Sequence, residues 1–245
     1  MGSKSKEFLG EIDDLILKEM DENSAILGIS IGTETGQIIS TNFKKDIKLS
    51  ANEVVAASSS LMFLSSNISK QLLNQKVKYH TTVAKNEILI NVLANNINVS
   101  VFLDRELAEL EGIGLYQKKI TDFAIKVSAF IETSEYIKKD IFVEIKRAIP
   151  TAISIAIITR SGLPVKIQSV MPDPMISAIT SALFNLTDVL LKKTVVYSIL
   201  TSEDGSIIVH QIDDNRILCV AIPDRREDQI GKYIARIKEI IKENK

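Results

Sequence analysis

The sequence predicts an α+β protein made of two copies of one unit. Each copy runs α-β-β-α-β-β-β-α around an antiparallel five-stranded sheet. Three observations carry this prediction. First, turn motifs recur in the same order: Ser30-Ile31-Gly32-Thr33-Glu34-Thr35-Gly36 with Ile157-Ile158-Thr159-Arg160-Ser161-Gly162, then Val77-Lys78-Tyr79 with Val195-Val196-Tyr197, then Ile113-Gly114-Leu115-Tyr116 with Ile230-Gly231-Lys232-Tyr233. Second, the spacing between copies drifts by a few residues, as changes in loop length would produce, which points to a duplicated module of about 120 residues. Third, the same succession of short apolar runs and helical patterns fills the intervals twice.

In the first copy, Glu7–Met20 places Phe8, Ile12, Leu15 and Ile16 on one helical face. Ala25–Ile31 and Gly36–Thr41 read as a hairpin across a glycine-containing turn. Ser50-Ala51-Asn52-Glu53 is a capping box, so a helix runs from there to about Leu73. Strands follow at Val77–Val83, Glu87–Leu93 and Asn98–Leu103, turned by Lys85-Asn86 and Asn95-Asn96, and Ile113–Glu132 closes the unit as a helix. In the second copy, Tyr136–Ala148 is the opening helix, stopped by Pro150. Thr151–Thr159 and Leu163–Gln168 form the hairpin, and Asp173 caps a helix with Pro174 in its first position, running to about Lys192. Val195–Thr201, Ser206–Gln211 and Arg216–Ile222 are strands and Arg225–Lys242 is the last helix. The domains are therefore 1–134 and 135–245, with a boundary near Thr133–Glu135 and no Pro/Gly/Ser-rich linker to hold them apart.

Composition narrows the function. Of 245 residues 45% are hydrophobic and 25% charged, ordinary for a globular protein, and the net charge of -1 offers no basic field for nucleic acid. Aromatic content of 5% without Trp leaves little for base stacking and predicts an aliphatic core. A single cysteine and two histidines exclude a disulfide framework and a Cys/His zinc cage. No apolar run approaches the roughly 18 residues of a membrane helix, and the first residues lack a secretory h-region, so a cytoplasmic protein with no direct membrane insertion is expected.

Catalytic signatures are missing: there is no P-loop, dinucleotide fingerprint, zincin motif or nucleophile elbow. His80 and His210 each stand alone in a strand and read as structural. Cys219 lies in the apolar run Ile217-Leu218-Cys219-Val220 and reads as a buried small hydrophobe. Asp13-Asp14 and Asp213-Asp214 read as solvated helix face and turn, not metal ligands. The basic residues of the last helix, among them Lys232, Arg236 and Lys238, interleave with acids as on a solvated face. No catalytic residue, metal or cofactor is expected, and the chain reads as a non-enzyme.

The middle helices carry the positive signal. Val54, Ala57, Leu61, Leu64, Ile68 and Leu72 form a stripe expected to cover the first sheet, with Val55, Met62 and Phe63 beside it and Ser58, Ser59 and Ser60 between. The second copy repeats this with Ile176, Ile179, Leu183, Leu186 and Leu190 in one stripe and Met175, Ala178, Ala182 and Val189 in the other. A helix apolar on two stripes buries two faces, and small residues let another helix approach. Val55, Ser59, Met62, Phe63, Met175, Ala178 and Ala182 are therefore the candidate partner-binding residues. A single wide stripe serving one core is the plainer reading.

The element order, the duplication, the turns Gly32-Thr33-Glu34-Thr35-Gly36 and Thr159-Arg160-Ser161-Gly162, and the Ala/Ser-rich helices around Val54–Leu64 and Ser177–Phe184 resemble the roadblock family of dynein light chains and of bacterial and archaeal small-GTPase regulators. That resemblance implies a profilin-like fold in each half. It also implies two halves joined as a pseudo-dimer through their third strands, with the middle helices side by side. Val77, Tyr79 and Thr81 would then pair with Val195, Tyr197 and Ile199, within one chain or between two. The apolar run Val195–Leu200 fits a strand covered on both faces. The implied function is a scaffold or regulator of a Ras-like small GTPase or a partner of other roadblock proteins, as a monomeric pseudo-dimer or homo-oligomer. The alternatives are a structural subunit of a larger complex and, less well matched, a small-molecule sensor.

Overall fold

Two antiparallel sheets organise the chain, in a computed structural model that describes residues 3–44, 49–132, 140–224 and 226–244. The chain divides into two units, Met1–Lys138 and Lys139–Lys245. The expected boundary and the expected helical start at Tyr136 fall in 133–139, outside the described residues, and the expected helix does not run through Asp140, which is extended and caps a helix that starts at Ile141.

The first unit comprises α1 (Ser3–Glu22), β1 (Ile26–Thr33), β2 (Ile38–Phe43), α2 (Ala51–Leu73), β3 (Tyr79–Val83), β4 (Glu87–Ala94), β5 (Ile97–Asp104), α3 (Arg105–Glu111) and α4 (Ile113–Glu132). The second comprises α5 (Ile141–Ala148), β6 (Ser154–Thr159), β7 (Pro164–Gln168), α6 (Asp173–Leu191), β8 (Tyr197–Thr201), β9 (Ser206–Gln211), β10 (Arg216–Ile222) and α7 (Glu227–Glu243). The strand orders are β2-β1-β5-β4-β3 and β7-β6-β10-β9-β8, one topology used twice. Even the irregularity repeats: the first hairpin shifts register between Ile31 and Gly32, the second between Ile157 and Ile158.

One face of each sheet holds an aliphatic core, as expected from the composition. Ile12, Ile16 and Met20 of α1 and Ile120, Ala124 and Val127 of α4 pack with Ile29, Ile31, Ile90, Val99 and Val101 of the first sheet. Ile145 of α5 and Ile237 and Ile241 of α7 do the same with Ile157, Leu218 and Val220 of the second. The other face of each sheet carries the middle helix.

Four expectations need correction. Helix α3 is not among the elements the sequence predicts, although its signals are present: the Asp104 carboxylate caps it by accepting from the Leu107 amide at 3.1 Å, and Gly112 ends it at φ +101°. Strand β3 starts at Tyr79, not Val77, and β8 at Tyr197, not Val195. Val195 is buried among the residues under α6, and its amide donates to Asp188 Oδ1 at 2.7 Å, so the helix holds it. Asp173 is the first residue of α6 and not its cap; the Pro172 carbonyl accepts the first helical bonds, from Met175 and Ile176. Finally, α6 is one apolar run long enough by length and composition to cross a membrane. Its inner face is nonetheless fastened to β6 and the turn after it, as described below.

Candidate interaction surface

The hairpin turns that dock the middle helices match atom for atom. Thr33 Oγ1 lies 2.8 Å from Thr35 Oγ1 and accepts from the Gln37 amide at 3.1 Å. Thr159 Oγ1 lies 2.8 Å from Ser161 Oγ and accepts from the Leu163 amide at 2.9 Å. Gly36 and Gly162 hold φ of +75° and +88°, the left-handed conformation these turns require. Onto each turn the middle helix sets a serine: Ser59 Oγ donates to the Thr33 carbonyl at 3.1 Å, and Ser181 Oγ donates to the Arg160 carbonyl.

These anchors fix which side of each helix faces its sheet. In α2 the buried residues are Val54, Val55, Ala56, Ser58, Ser59, Ser60 and Met62. Val55 lies so close to the sheet that a Cβ on Gly32 would stand 2.1 Å from its Cγ1. Three of the four proposed partner-binding residues of this helix, Val55, Ser59 and Met62, are therefore buried; Val55 and Ser59 meet β1. Phe63 is half-buried. Of the stripe expected to cover the sheet, Val54 is buried, but the rest turns the other way: Ala57 is exposed, Leu61 and Leu64 are half-buried, and Ile68 and Leu72 are 56% and 77% exposed. The small residues serve close approach of helix to sheet.

In α6, Ile176, Ser177, Thr180, Ser181 and Phe184 are buried, with Phe184 among Ala156, Ile158, Val209, Ile217 and Cys219. Arg160 fastens the helix further. Its guanidinium pairs with Asp188, lies 5.4 Å from the Phe184 ring centroid, and its carbonyl accepts from Asn185 Nδ2 at 2.9 Å. The outward face is apolar except for Thr187, whose hydroxyl donates to the Leu183 carbonyl: Met175, Ala178 and Ala182 are exposed, joined by Ile179, Leu183, Leu186, Val189 and Leu190. Asp188, the one acid between Asp173 and Leu191, is turned to Arg160 and to the Val195 amide. Aligned on Ser59 and Ser181, the outward residues Ala57, Leu61, Leu64 and Ile68 of α2 correspond to Ile179, Leu183, Leu186 and Leu190 of α6.

The third strands β3 and β8 each end their sheet. Tyr79 and Tyr197 occupy the same place, each 38% exposed; Thr81 and Ile199 follow them. The apolar run of β8 is not covered on both faces: Val196, Tyr197, Ile199 and Leu200 are exposed, because β8 ends its sheet, with Val196 and Leu200 beyond the strands on which α6 packs most and Tyr197 and Ile199 on the opposite face. Lys238 Nζ lies 4.5 Å from the Tyr197 ring centroid, and the ring stacks on His210 at 5.9 Å.

The remaining chemistry-bearing side chains have structural surroundings. Cys219 is buried, and burial pushes its thiol pKa up, partly offset by a hydrogen bond with Thr180. His210 is buried with Nδ1 2.7 Å from the Gln211 carbonyl; His80 Nδ1 lies 2.7 Å from Ser65 Oγ. Asp213 closes a turn, accepting from the Asn215 and Arg216 amides. Among the described residues no group of three His, Cys, Asp or Glu is placed to hold a metal ion. Two grooves line the first unit, one of about 390 Å³ between the end of α1 and α4 and one of about 520 Å³ between β3, the end of β4 and α4.

No family model and no curated protein matches the chain by sequence. Solved structures do. MglB of Myxococcus xanthus is 15% identical, matched over 45% of this chain and 87% of its own, with a TM-score of 0.37. The gliding protein MglB of Thermus thermophilus is 12% identical over 45% and 91%, with a TM-score of 0.38. A Roadblock/LC7 domain from Streptomyces avermitilis is 14% identical over 42% and 90%, with a TM-score of 0.36. The chain is thus similar to single roadblock/LC7 proteins, each spanning a little under half of it.

Proposed function

We propose that this chain of two roadblock-like units is a non-enzymatic interaction module that scaffolds or regulates a Ras-like small GTPase. One observation carries the reading: both middle helices turn an apolar stripe away from their own sheets, in the same register relative to the serine that anchors each helix. Apolar surface of this extent, contiguous and free of charge on α6, marks a site that another surface covers. A regulator of this kind needs no catalytic side chain. Binding one switch conformation more tightly than another shifts the GTPase population by the difference in affinity. The GTPase itself follows from the sequence resemblance to roadblock regulators and not from the geometry.

The third strands supply a second element of the proposal. Tyr79 and Thr81 on β3 and Tyr197 and Ile199 on β8 sit on sheet edges, and edges with unpaired N–H and C=O groups are normally covered. We place the pairing of the two units, within one chain or between two, along these edges.

The test is capture of purified Ras-like GTPases from the source genome by the full chain, with GDP or a GTP analogue bound. Capture that depends on the nucleotide supports regulation. Capture that ignores the nucleotide favours the structural-subunit reading, and no capture of any of them removes the GTPase from the proposal.

A further inference from the structure

The two units differ where the middle helix meets the sheet. Under α2 a row of directly paired residues crosses all five strands: Thr41 opposite Ser30, Ser30 opposite Ser100, Ser100 opposite Asn91, and Asn91 opposite His80. Every member is polar. The equivalent row under α6 is Ile167, Ala156, Cys219, Val209 and Ser198, apolar up to its last member. The neighbouring pair repeats the contrast: Gly32 opposite Asn98 in the first unit, Ile158 opposite Ile217 in the second.

The polar row is incompletely satisfied. Ser100 Oγ donates to Asn91 Oδ1 at 2.6 Å, and Ser30 Oγ lies 3.2 Å from Thr41 Oγ1. Asn91 Nδ2 and Asn98 Oδ1 are buried with no hydrogen-bond partner among the described residues. Asn91 itself is fully buried. A buried amide without a partner opposes docking of whatever covers it, whereas water satisfies it once the cover lifts. The helix side matches this. Ser65 bonds His80, a member of the row, and Val54, Val55 and Met62 are buried beside it; Ser59 on the Thr33 carbonyl has its counterpart in Ser181, but α6 alone adds Phe184 among aliphatic side chains and the Arg160–Asp188 pair.

We propose that α2 is a releasable helix. It lifts from the first sheet as a unit at lower free energy than the sheet unfolds, while α6 stays down until the second unit unfolds. The polar row is the device that sets this difference. The inference concerns the free chain and does not rest on the GTPase reading.

Native-state hydrogen exchange on the full chain tests it. Amides of α2 are expected to exchange through an opening that leaves β1, β4 and β5 protected, with α6 amides exchanging only together with their sheet. Transplanting the second unit's residues into the first, Ser30→Ala with Asn91→Val and Ser100→Cys, should slow α2 exchange about tenfold or more, since it removes a buried polar group without a partner. Should the triple variant not fold, Asn91→Val with Ser100→Cys, which removes both partners of that bond, is expected to act in the same direction. Concerted exchange of α2 with β1 and β5 overturns the proposal, as does equal opening of α6 or a transplant that leaves α2 exchange unchanged.

Discussion

Ser59 donates its hydroxyl to the Thr33 carbonyl at 3.1 Å, and this bond fixes the rotation of α2 on its sheet. The same carbonyl also accepts from the Gly36 amide at 3.0 Å. Ser59→Ala therefore leaves the acceptor with one partner, and the expected loss is about 1 kcal/mol. Thermal melting of the full chain checks it. An unchanged melting temperature would mean that the rotation of α2 is set elsewhere.

Phe184 and Leu186 are two residues apart on α6 and face opposite ways. Phe184 is fully buried and Leu186 is 60% exposed. Phe184→Ala is expected to cost about 3–5 kcal/mol, and Leu186→Asp to stay within roughly 0.5 kcal/mol. Denaturant unfolding distinguishes them. Comparable losses from both would place the outward stripe in the core of the chain.

Tyr116 gives the fold an alkaline limit. Its hydroxyl donates to Glu111 Oε2 at 2.8 Å, and burial, reinforced by Glu111, raises its pKa from 10 to about 12. The fold holds the protonated form, so this contribution is complete below pH 10 and lost as pH rises toward 12. Stability of the wild type should fall more steeply across that window than stability of Tyr116→Phe, which cannot titrate there. Parallel pH profiles for the two proteins would show that the fold does not raise the Tyr116 pKa.

Much of the fold is legible in the sequence, and the facing of the middle helices is not. The duplication, the strands of both sheets and every helix except α3 follow from periodicity and turn chemistry, which are local. The capping box at Ser50 and Glu53 forms as read, with the carboxylate accepting from the Ser50 amide at 2.6 Å. The facing of α2 departs from the expectation because this helix lies on the sheet face that carries Ser30, Gly32, Asn91 and Ser100; α6 lies on an apolar face and turns Ile179, Leu183, Leu186 and Leu190 outward all the same. Gly32 and Ser59 allow the close approach; the apolar residues Leu64 and Ile68 are left outside. Only the pairing of distant strands reveals a polar sheet face, and no window along the chain displays it. The strand β8 was misjudged for a related reason: an apolar run reports hydrophobicity, and burial depends on where the covering helix lies.

Tyr197 tests the edge of β8. The Gln211 amide donates to the Val196 carbonyl at 2.9 Å, so in the alternation of an antiparallel pair the Tyr197 amide points away from β9. Tyr197→Pro thus spares the β8–β9 ladder and blocks pairing along the outer edge, where proline is tolerated. If that edge pairs with β3, the variant should keep its secondary structure and show a lower melting temperature or a changed hydrodynamic size relative to Tyr197→Ala, which loses the same ring contacts to Lys238 and His210 but keeps the amide. A variant identical to Tyr197→Ala in both would leave the edge unpaired.

The central claim is that the outward stripes of α2 and α6 receive the partner, and affinity measured on surface variants addresses it most directly. Once nucleotide-dependent capture identifies a GTPase, its titration by calorimetry against wild type and against Leu64→Asp with Leu186→Asp compares the intact and the charged stripe. The expected result is wild-type binding that the double variant loses by at least about a hundredfold, since each buried apolar anchor replaced by a carboxylate costs roughly 1.5–3 kcal/mol in transfer alone, with both proteins melting alike. Equal affinity of wild type and double variant for that GTPase would contradict the account.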